Sequence, residues 1–317
     1  MKTTGRQDGE YRHYKDINYI NDRVKLDLKE FIFECEDDYE KDIVYTAGFI
    51  ASRMEHSRVV MLSGPSGSGK TTSAGKLSAA LEKRGIEAHM LSMDNYFLSK
   101  DLVDPKYDFE SPMRLDIPLL QEHITALSED AAIEVPEYDF LTGMRKAETI
   151  PLKIGKDEIV IFEGIHALND MFIEKVGHRP TGVYVSPRMR VTEDNNVILP
   201  PESLRFMRRS IRDKRTRGAD FLRTLELWED VRQGEADHIM PNKWRADIVI
   251  DTTLEYEIGV LKSFVQCGMR DILESGMING WDHGMSKLPD ELDKFADISS
   301  EYVPKSSLLR EFIGEKL

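Results

Sequence analysis

A glycine-rich segment at residues 64–72, GPSGSGKTT, constrains the fold of this 317-residue chain more than any other feature. It follows the apolar run RVVMLS and precedes a stretch rich in leucine and alanine, so it lies between a strand and a helix. Glycines let successive backbone N–H groups converge on an anion, and the positive end of the next helix points to the same place. The segment predicts a phosphate-binding loop for a nucleoside triphosphate, made by Gly64, Pro65, Ser66, Gly67, Ser68, Gly69, Lys70, Thr71 and Thr72.

Five short apolar runs indicate where the strands of a sheet lie. They are residues 58–63, 88–93, 158–164, 182–186 and 246–253, and helical patterns separate them. Runs of this length that are apolar on both faces and are bounded by Gly, Pro or Asp are typical of parallel strands covered by helices. We therefore expect an α/β fold with a doubly wound, five-stranded parallel sheet.

The composition narrows the classes of partner. The chain has 57 acidic and 43 basic residues and a formal net charge of −14, so we expect no nucleic-acid partner. No apolar run approaches the ~18 residues of a membrane span, so we expect no membrane association. Cys35 and Cys267 have no spacing typical of a metal site or a disulfide framework, which favours reduced thiols in a cytoplasmic protein.

Two acidic residues lie at the ends of runs that we expect to be strands. Asp94 comes directly after residues 88–93, and Glu163 lies near the end of residues 158–164. The carboxyl ends of parallel strands line the ligand crevice, so both side chains are expected beside the phosphate loop. Asp94 suits a base that takes the proton of an incoming hydroxyl, and Glu163 suits a Mg²⁺ site shared with Thr71. The alternative role for each carboxylate is to cap a helix.

The sequence excludes a guanine-nucleotide switch. Such a switch reads guanine with an N-K-x-D motif, but the Asn242-Lys243 pair is followed by Trp244 and Arg245. The loop lysine, Lys70, is expected at the β and γ phosphates. Together with Asp94, it favours an enzyme that transfers a phosphoryl group.

An arginine-rich segment, RFMRRSIRDKRTR at residues 205–217, has helical spacing. Four arginines at i, i+3, i+4 and i+7 share one face, and they are Arg205, Arg208, Arg209 and Arg212. Like charges on one face repel unless an anion or an acid lies among them. Next to a triphosphate, the segment suits a lid that neutralises phosphoryl oxygens. The alternative is a solvated face paired with Glu202 and Asp213.

In seven segments the chain resembles the uridine kinase and phosphoribulokinase family, in the family's order and at roughly its spacing. The segments are GPSGSGKTT, SMDNYF, YDFESP, VPEYDFLTGMRKAET, VIFEGIHAL, RRSIRDKRTRG and PNKWRADIVI. The resemblance covers residues 58–253 well, a C-terminal tail with LREFIG less well, and the first 50 residues hardly at all. It implies a P-loop NTPase fold and a kinase that transfers the γ-phosphate of ATP to a primary hydroxyl.

The resemblance also implies roles for individual residues. The catalytic residues are Asp94 as base, Lys70 and Arg209. The Mg²⁺ site contains Thr71, Glu163 and Asp94, and the lid brings Arg212 and Arg217 to the phosphates. On the acceptor side, Glu110 and Arg209 hold a ribose, Tyr138 and Phe140 line a nucleobase pocket, and Arg145 belongs to the same substrate site.

Two departures from the family concern the acceptor. Gly143 stands where uridine kinases place a pyrimidine-contacting His, and Ala219 stands where they carry a second base-contacting Arg. Since sites built on hydrogen bonds discriminate strongly, losing both groups removes the main reason to expect selectivity for uracil. Glu110 also replaces an Asp, which moves the carboxylate outward by one methylene.

We expect three parts in the chain: an N-terminal helical extension at 1–57, a P-loop kinase domain at 58–253 with a mobile lid at about 188–245, and a C-terminal helical extension at 254–317. Three functions stay open. The first is a nucleoside kinase with altered base selectivity, the second a kinase for a sugar or polyol, and the third a non-catalytic, ATP-dependent regulatory or scaffold protein. A homo-oligomer is compatible with the resemblance.

Overall fold

A computed structural model describes residues 13–108, 110–173, 179–276 and 285–315. Within these residues the chain forms ten strands and ten α-helices, numbered here in chain order. The strands are β1 (His13–Asp16), β2 (Val59–Ser63), β3 (Glu87–Ser92), β4 (Ile133–Asp139), β5 (Met144–Leu152), β6 (Glu158–Glu163), β7 (Thr181–Ser186), β8 (Met189–Glu193), β9 (Asn196–Leu199) and β10 (Ile248–Asp251). The helices are α1 (Ile17–Leu26), α2 (Leu28–Arg53), α3 (Lys70–Glu82), α4 (Ile117–Ser128), α5 (Asp170–Ile173), α6 (Pro201–Arg217), α7 (Phe221–Gly234), α8 (Glu257–Glu274), α9 (Leu288–Asp293) and α10 (Arg310–Ile313).

The central sheet has five parallel strands in the order β10-β7-β2-β6-β3. Its members coincide with the five apolar runs, so the predicted α/β fold is confirmed. In the register, Val60 of β2 lies opposite Ile161 of β6 on one side and Thr181 of β7 on the other. Strands β2, β6 and β7 are almost wholly buried because helices cover both faces of the sheet.

Alternate residues of β2 face two different apolar clusters. Val60 and Leu62 belong to a cluster that also includes side chains of α2, α3, α6, α8 and the C-terminal tail. Val59 and Met61 belong to a second cluster, formed mainly with α4 and β4. The period of two in a strand therefore divides the core into two layers, one on each face of the sheet.

Helix boundaries follow from local capping chemistry. Asp27, Asp116 and Asp220 each accept a hydrogen bond from a backbone N–H in the first turn of α2, α4 and α7 respectively. Helix α6 ends at Gly218, whose φ of 65° lies in the left-handed region that glycine adopts without strain. The caps at Gly218 and Asp220 fix where the arginine-bearing helix α6 ends and where α7 begins.

Two smaller sheets flank the central one. Strands β4 and β5 form an antiparallel hairpin, and β8 and β9 form another, to which β1 adds a parallel strand. The β8–β9 hairpin falls within the segment expected to form a lid, and its partner β1 comes from the N-terminal part of the chain. None of the helices in the described part of the chain is long and apolar enough to cross a membrane.

The C-terminal tail packs against the body of the protein. Leu308, Leu309 and Phe312 have no exposed surface and belong to the same cluster as α3 and α6. The guanidinium of Arg215 in α6 donates hydrogen bonds to the backbone carbonyls of Glu311 and Phe312. Because three buried apolar side chains and two such bonds hold it, the tail is a part of the core.

Candidate active site

The loop between β2 and α3 has a backbone that requires its glycines. A Cβ on Gly64 would lie 2.1 Å from the carbonyl oxygen of Val185, which is too close for any side chain. Gly69, directly before Lys70, has a φ of 85°. Helix α3 therefore starts abruptly, and the N–H groups of its first turn have no partner within the helix. This is the geometry of an anion-binding loop.

The loop forms one side of a cavity of about 760 Å³. Loop residues 66–71 meet residues from seven other parts of the chain there. The predicted residues that line the cavity, besides the loop, are Asp94, Glu110, Phe140, Glu163, Arg209, Arg212 and Arg217. Gly64, Pro65, Thr72, Tyr138 and Arg145 are not among the described residues that line it. The fold thus brings most of the predicted donor and acceptor residues to one place.

Four of the lining residues belong to the predicted phosphate and Mg²⁺ site, and they are Lys70, Thr71, Asp94 and Glu163. The Thr71 hydroxyl donates a hydrogen bond of 2.7 Å to Glu163 Oε1, and Lys70 Nζ donates one of 3.2 Å to the carbonyl of Pro65. Asp94 lines the cavity. Desolvation by the surrounding protein raises the pKa of Asp94, and the negative charge of Glu163 adds to this effect. Burial lowers the pKa of Lys70.

Asp94 lies in the short helical turn Met93–Tyr96 but does not cap it. The Ser92 hydroxyl accepts the hydrogen bond from the Asp94 backbone N–H at 3.3 Å, so Ser92 supplies the cap. The Asp94 carboxylate is left at the cavity beside Lys70. For Glu163, the hydrogen bond from Thr71 takes the place of the helix cap considered above.

The arginines of α6 divide into two groups, although their spacing predicts one face. Arg205 pairs with Glu235, and Arg208 forms a bidentate pair with Glu257 in which neither side chain is exposed. These two pairs hold α6 against neighbouring helices. Of the four arginines with this spacing, Arg209 and Arg212 line the cavity, whereas Arg205 and Arg208 pair with acids from distant parts of the chain.

Arg209, Arg212 and Arg217 reach the cavity and share one buried acid. Each guanidinium lies 3.3 Å from a carboxylate oxygen of Asp213. Arg209 also donates a hydrogen bond of 2.7 Å to the Ser66 hydroxyl of the loop. A single acid cannot neutralise three cations, so this group keeps a positive charge that faces the loop.

Glu110 also lies near Arg209, with a carboxylate oxygen 4.0 Å from the guanidinium. Burial raises the pKa of Glu110 to about 7, and the nearby Arg209 offsets only part of this effect. Phe97 and Phe140 form an apolar wall next to it, with ring centroids 5.9 Å apart. Tyr138 packs behind both rings at 5.5 and 5.0 Å, so it supports this wall from within.

Arg145 is placed differently from its prediction as a substrate-binding residue. Its guanidinium donates hydrogen bonds to Asp116 and to the backbone carbonyls of Tyr96 and Phe97. These contacts tie β5 to the segment that follows Asp94. Gly143 lies at the tip of the β4–β5 hairpin with a φ of 71°, so the turn itself accounts for a glycine there.

Three carboxylates in the cavity have no role in the sequence interpretation: Asp108, Asp230 and Glu311. Asp108 lies inside the YDFESP segment, so a search of that motif could have found it. Glu311 belongs to the C-terminal tail and accepts a hydrogen bond of 2.6 Å from the Thr72 hydroxyl, across 239 residues of sequence. No local pattern signals a contact over that separation.

The five-stranded parallel sheet and the loop at the end of β2 define a P-loop α/β protein. Residues 59–258 match the phosphoribulokinase / uridine kinase family. The chain belongs to this family, as its motifs predicted, and is one of its P-loop kinases.

The chain is also similar to individual proteins. The uridine kinase of Borrelia duttonii (strain Ly) is 30% identical over 223 residues, which are 68% of this chain and 97% of that protein. The uridine kinase of Deinococcus deserti is 29% identical over 199 residues, 61% of this chain and 86% of that protein. Among solved structures, D-glycerate 3-kinase from Cryptococcus neoformans is 18% identical, with 64% of this chain and 87% of that one covered and a TM-score of 0.41.

Proposed function

We propose that this protein transfers the γ-phosphate of ATP to a hydroxyl group of a nucleoside, with a base selectivity different from that of uridine kinases. One observation carries the proposal: Asp94 and Glu110 line the same cavity as the phosphate loop. A donor phosphate on the loop and an acceptor hydroxyl near Glu110 would therefore share one enclosed space, which is what direct transfer needs.

The donor side suits a triphosphate with Mg²⁺. The Thr71 hydroxyl and the Glu163 carboxylate, 2.7 Å apart, are hard oxygen donors, and Asp94 lines the same cavity. In the described part of the chain no group of three or more His, Cys, Asp or Glu side chains could hold a metal ion alone. This fits Mg²⁺, which binds through one or two carboxylates together with waters and substrate phosphates. When bound, Mg²⁺ would neutralise charge on the phosphates.

The protein's own residues would do the rest of the chemistry. Loop N–H groups and Lys70 would hold the phosphates, and Arg212 and Arg217 would spread the charge of the group in transfer. Both arginines lie on α6, which we place in a lid at about 188–245. The Asp94 carboxylate would accept the proton of the attacking hydroxyl, and its raised pKa makes it a stronger proton acceptor.

The acceptor side supports a nucleoside. Glu110 and Arg209 can bind sugar hydroxyls, and the wall of Phe97 and Phe140 offers a surface on which a planar base can stack. Gly143 and Ala219 have no side-chain group that can form a hydrogen bond with uracil. The cavity therefore supports recognition of the ribose more than recognition of the base.

A polyol or sugar is the second candidate acceptor. Asp108, Glu110 and Asp230 give the cavity three carboxylates that can accept hydrogen bonds from hydroxyl groups. Such a site would bind a hydroxyl-rich molecule that has no base.

An ATP-consumption screen across nucleosides, sugars and polyols tests the proposal, with Lys70→Ala as the inactive control. Activity with one or more nucleosides supports the first candidate, and activity only with a sugar or polyol supports the second. If the wild-type protein consumes no ATP above the Lys70→Ala background with any acceptor, the proposed function is wrong, and the non-catalytic alternative gains support.

A further inference from the structure

One wall of the cavity comes from outside the residues that match the family. The tail residue Glu311 lines the cavity and accepts a 2.6 Å hydrogen bond from the Thr72 hydroxyl. Leu308, three residues earlier, packs on the loop: a Cβ on Gly69 would lie 2.6 Å from Leu308 Cδ1. The tail is therefore in contact with both the phosphate loop and the first turn of α3.

The backbone on either side of the Glu311 side chain is held in place. Leu308, Leu309 and Phe312 are fully buried, and the Arg215 guanidinium binds the carbonyls of residues 311 and 312. A plug that swings away when a ligand arrives would have to expose these side chains to water. Glu311 is consequently better described as a fixed part of the cavity wall than as a removable obstacle.

Glu163 and Glu311 contact successive residues of α3, Thr71 and Thr72, which point in different directions. Thr71 points to Glu163, and the next residue, Thr72, points to Glu311, since successive helical side chains diverge by about 100°. The terminal phosphate of a donor belongs beside Lys70 and Asp94. The nucleoside part of such a donor would extend away from Asp94, past Thr72 and Glu311.

We propose that Glu311 determines specificity for the phosphoryl donor by accepting a hydrogen bond from a ribose hydroxyl of the nucleotide. The inference rests on the proposed function. A carboxylate beside a polyphosphate repels further phosphate oxygens, so the group that it can favour is a hydrogen-bond donor. Acidic side chains hold ribose hydroxyls in the same way in other nucleotide sites. Residues of the tail would thus distinguish a nucleotide from other polyphosphates.

Calorimetric titration of three ligands tests the assignment without relying on turnover. The ligands are ATP, 2′,3′-dideoxy-ATP and inorganic tripolyphosphate, each with Mg²⁺, and the proteins are wild type, Glu311→Ala and the control Glu315→Ala. Glu315 is an exposed carboxylate of the same tail. We expect wild type and the control to bind ATP about tenfold or more tightly than dideoxy-ATP, the effect of one hydrogen bond to a charged group. In Glu311→Ala that preference is lost, while tripolyphosphate binds as well as before or better.

Four results would overturn the inference. Equal binding of ATP and dideoxy-ATP by the wild type excludes ribose recognition and leaves the proposed function standing. A preference that persists in Glu311→Ala assigns it to another residue. An equal loss of affinity for all three ligands in Glu311→Ala shows that Glu311 only supports the structure of the loop. If the wild type binds neither ATP nor tripolyphosphate, the proposed function fails, and the inference fails with it.

Discussion

Glu110 is an acid in a place that disfavours its charge. Burial raises its pKa from an ordinary 4.5 to about 7, although Arg209 lies 4.0 Å away, because Glu235 and the surrounding protein oppose ionisation. The side chain packs closely on α7, where a Cβ on Gly234 would lie 2.4 Å from Glu110 Cβ. At neutral pH the partly ionised Glu110 therefore lowers the free energy of unfolding of the free protein.

The pH dependence of stability follows from this shift. The folded state holds the Glu110 proton more tightly than the unfolded state, so its contribution is fully present below 4.5 and is lost as the pH rises through 7. Glu110→Gln should raise the free energy of unfolding at pH 8 by up to about 3 kcal/mol, and most of the gain should disappear at pH 5. Urea denaturation at both pH values measures it, with the exposed Glu148→Gln as control. A gain of equal size at both pH values would contradict the assignment.

At the scale of elements, helix α6 both packs against α8 and contributes arginines to the cavity. Arg208 and Glu257 join α6 to α8 with no exposed surface, and Arg208 also donates hydrogen bonds to Thr252 and to the carbonyl of Gly67 in the phosphate loop. Arg209 and Arg212, which follow Arg208 in the same helix, reach the cavity. The buried pair therefore fixes where Arg209 and Arg212 enter the cavity.

Loss of one partner of a buried pair is costly because the other charge stays behind. Arg208→Ala should lower the free energy of unfolding by about 3–5 kcal/mol. Arg223→Ala is the matched control, since Arg223 forms an exposed pair with Glu226 and should change stability by less than about 1 kcal/mol. Chemical denaturation of both variants compares them directly. Similar losses in the two variants would show that the pair at α6 has no special importance.

At the scale of the whole molecule, both ends of the chain support the phosphate loop. The Tyr39 hydroxyl of α2 shares a 2.8 Å hydrogen bond with Ser73 in α3, and the tail reaches Thr72 of the same helix. The N-terminal helices and the tail belong to the apolar cluster on that face of the sheet. The P-loop helix is thus enclosed by segments that precede and follow the family match.

Removal of the tail should therefore unfold the protein. Leu308, Leu309 and Phe312 contribute about 1.5–3 kcal/mol each by burial, which together approaches the 5–15 kcal/mol stability of an ordinary domain. A protein that ends at Pro304 should lose its cooperative thermal transition in circular dichroism. A truncated protein with a melting temperature close to that of the full chain would contradict the packing described for the tail.

Local signals predicted the parts of this structure that local chemistry determines. The strands, the loop and the strand-end residues Asp94 and Glu163 could be inferred from short patterns, because apolar runs and glycines act within a few residues. The partners of Arg145, Arg208 and Thr72 could not, since these contacts join residues 29, 49 and 239 positions apart. Which arginines of α6 line the cavity depends on such distant acids, and the helical spacing of the arginines does not reveal where those acids lie.

The most direct test of the central claim is phosphoryl transfer from γ-labelled ATP by wild type and Asp94→Asn, with ATP binding measured on the same samples. The acceptor is the compound that the screen identifies. A general base contributes about 10²–10⁴ to the rate, so transfer should fall by at least 100-fold while ATP is bound as well as by wild type. Transfer at the wild-type rate by Asp94→Asn would contradict the claim that this carboxylate takes the proton of the acceptor hydroxyl.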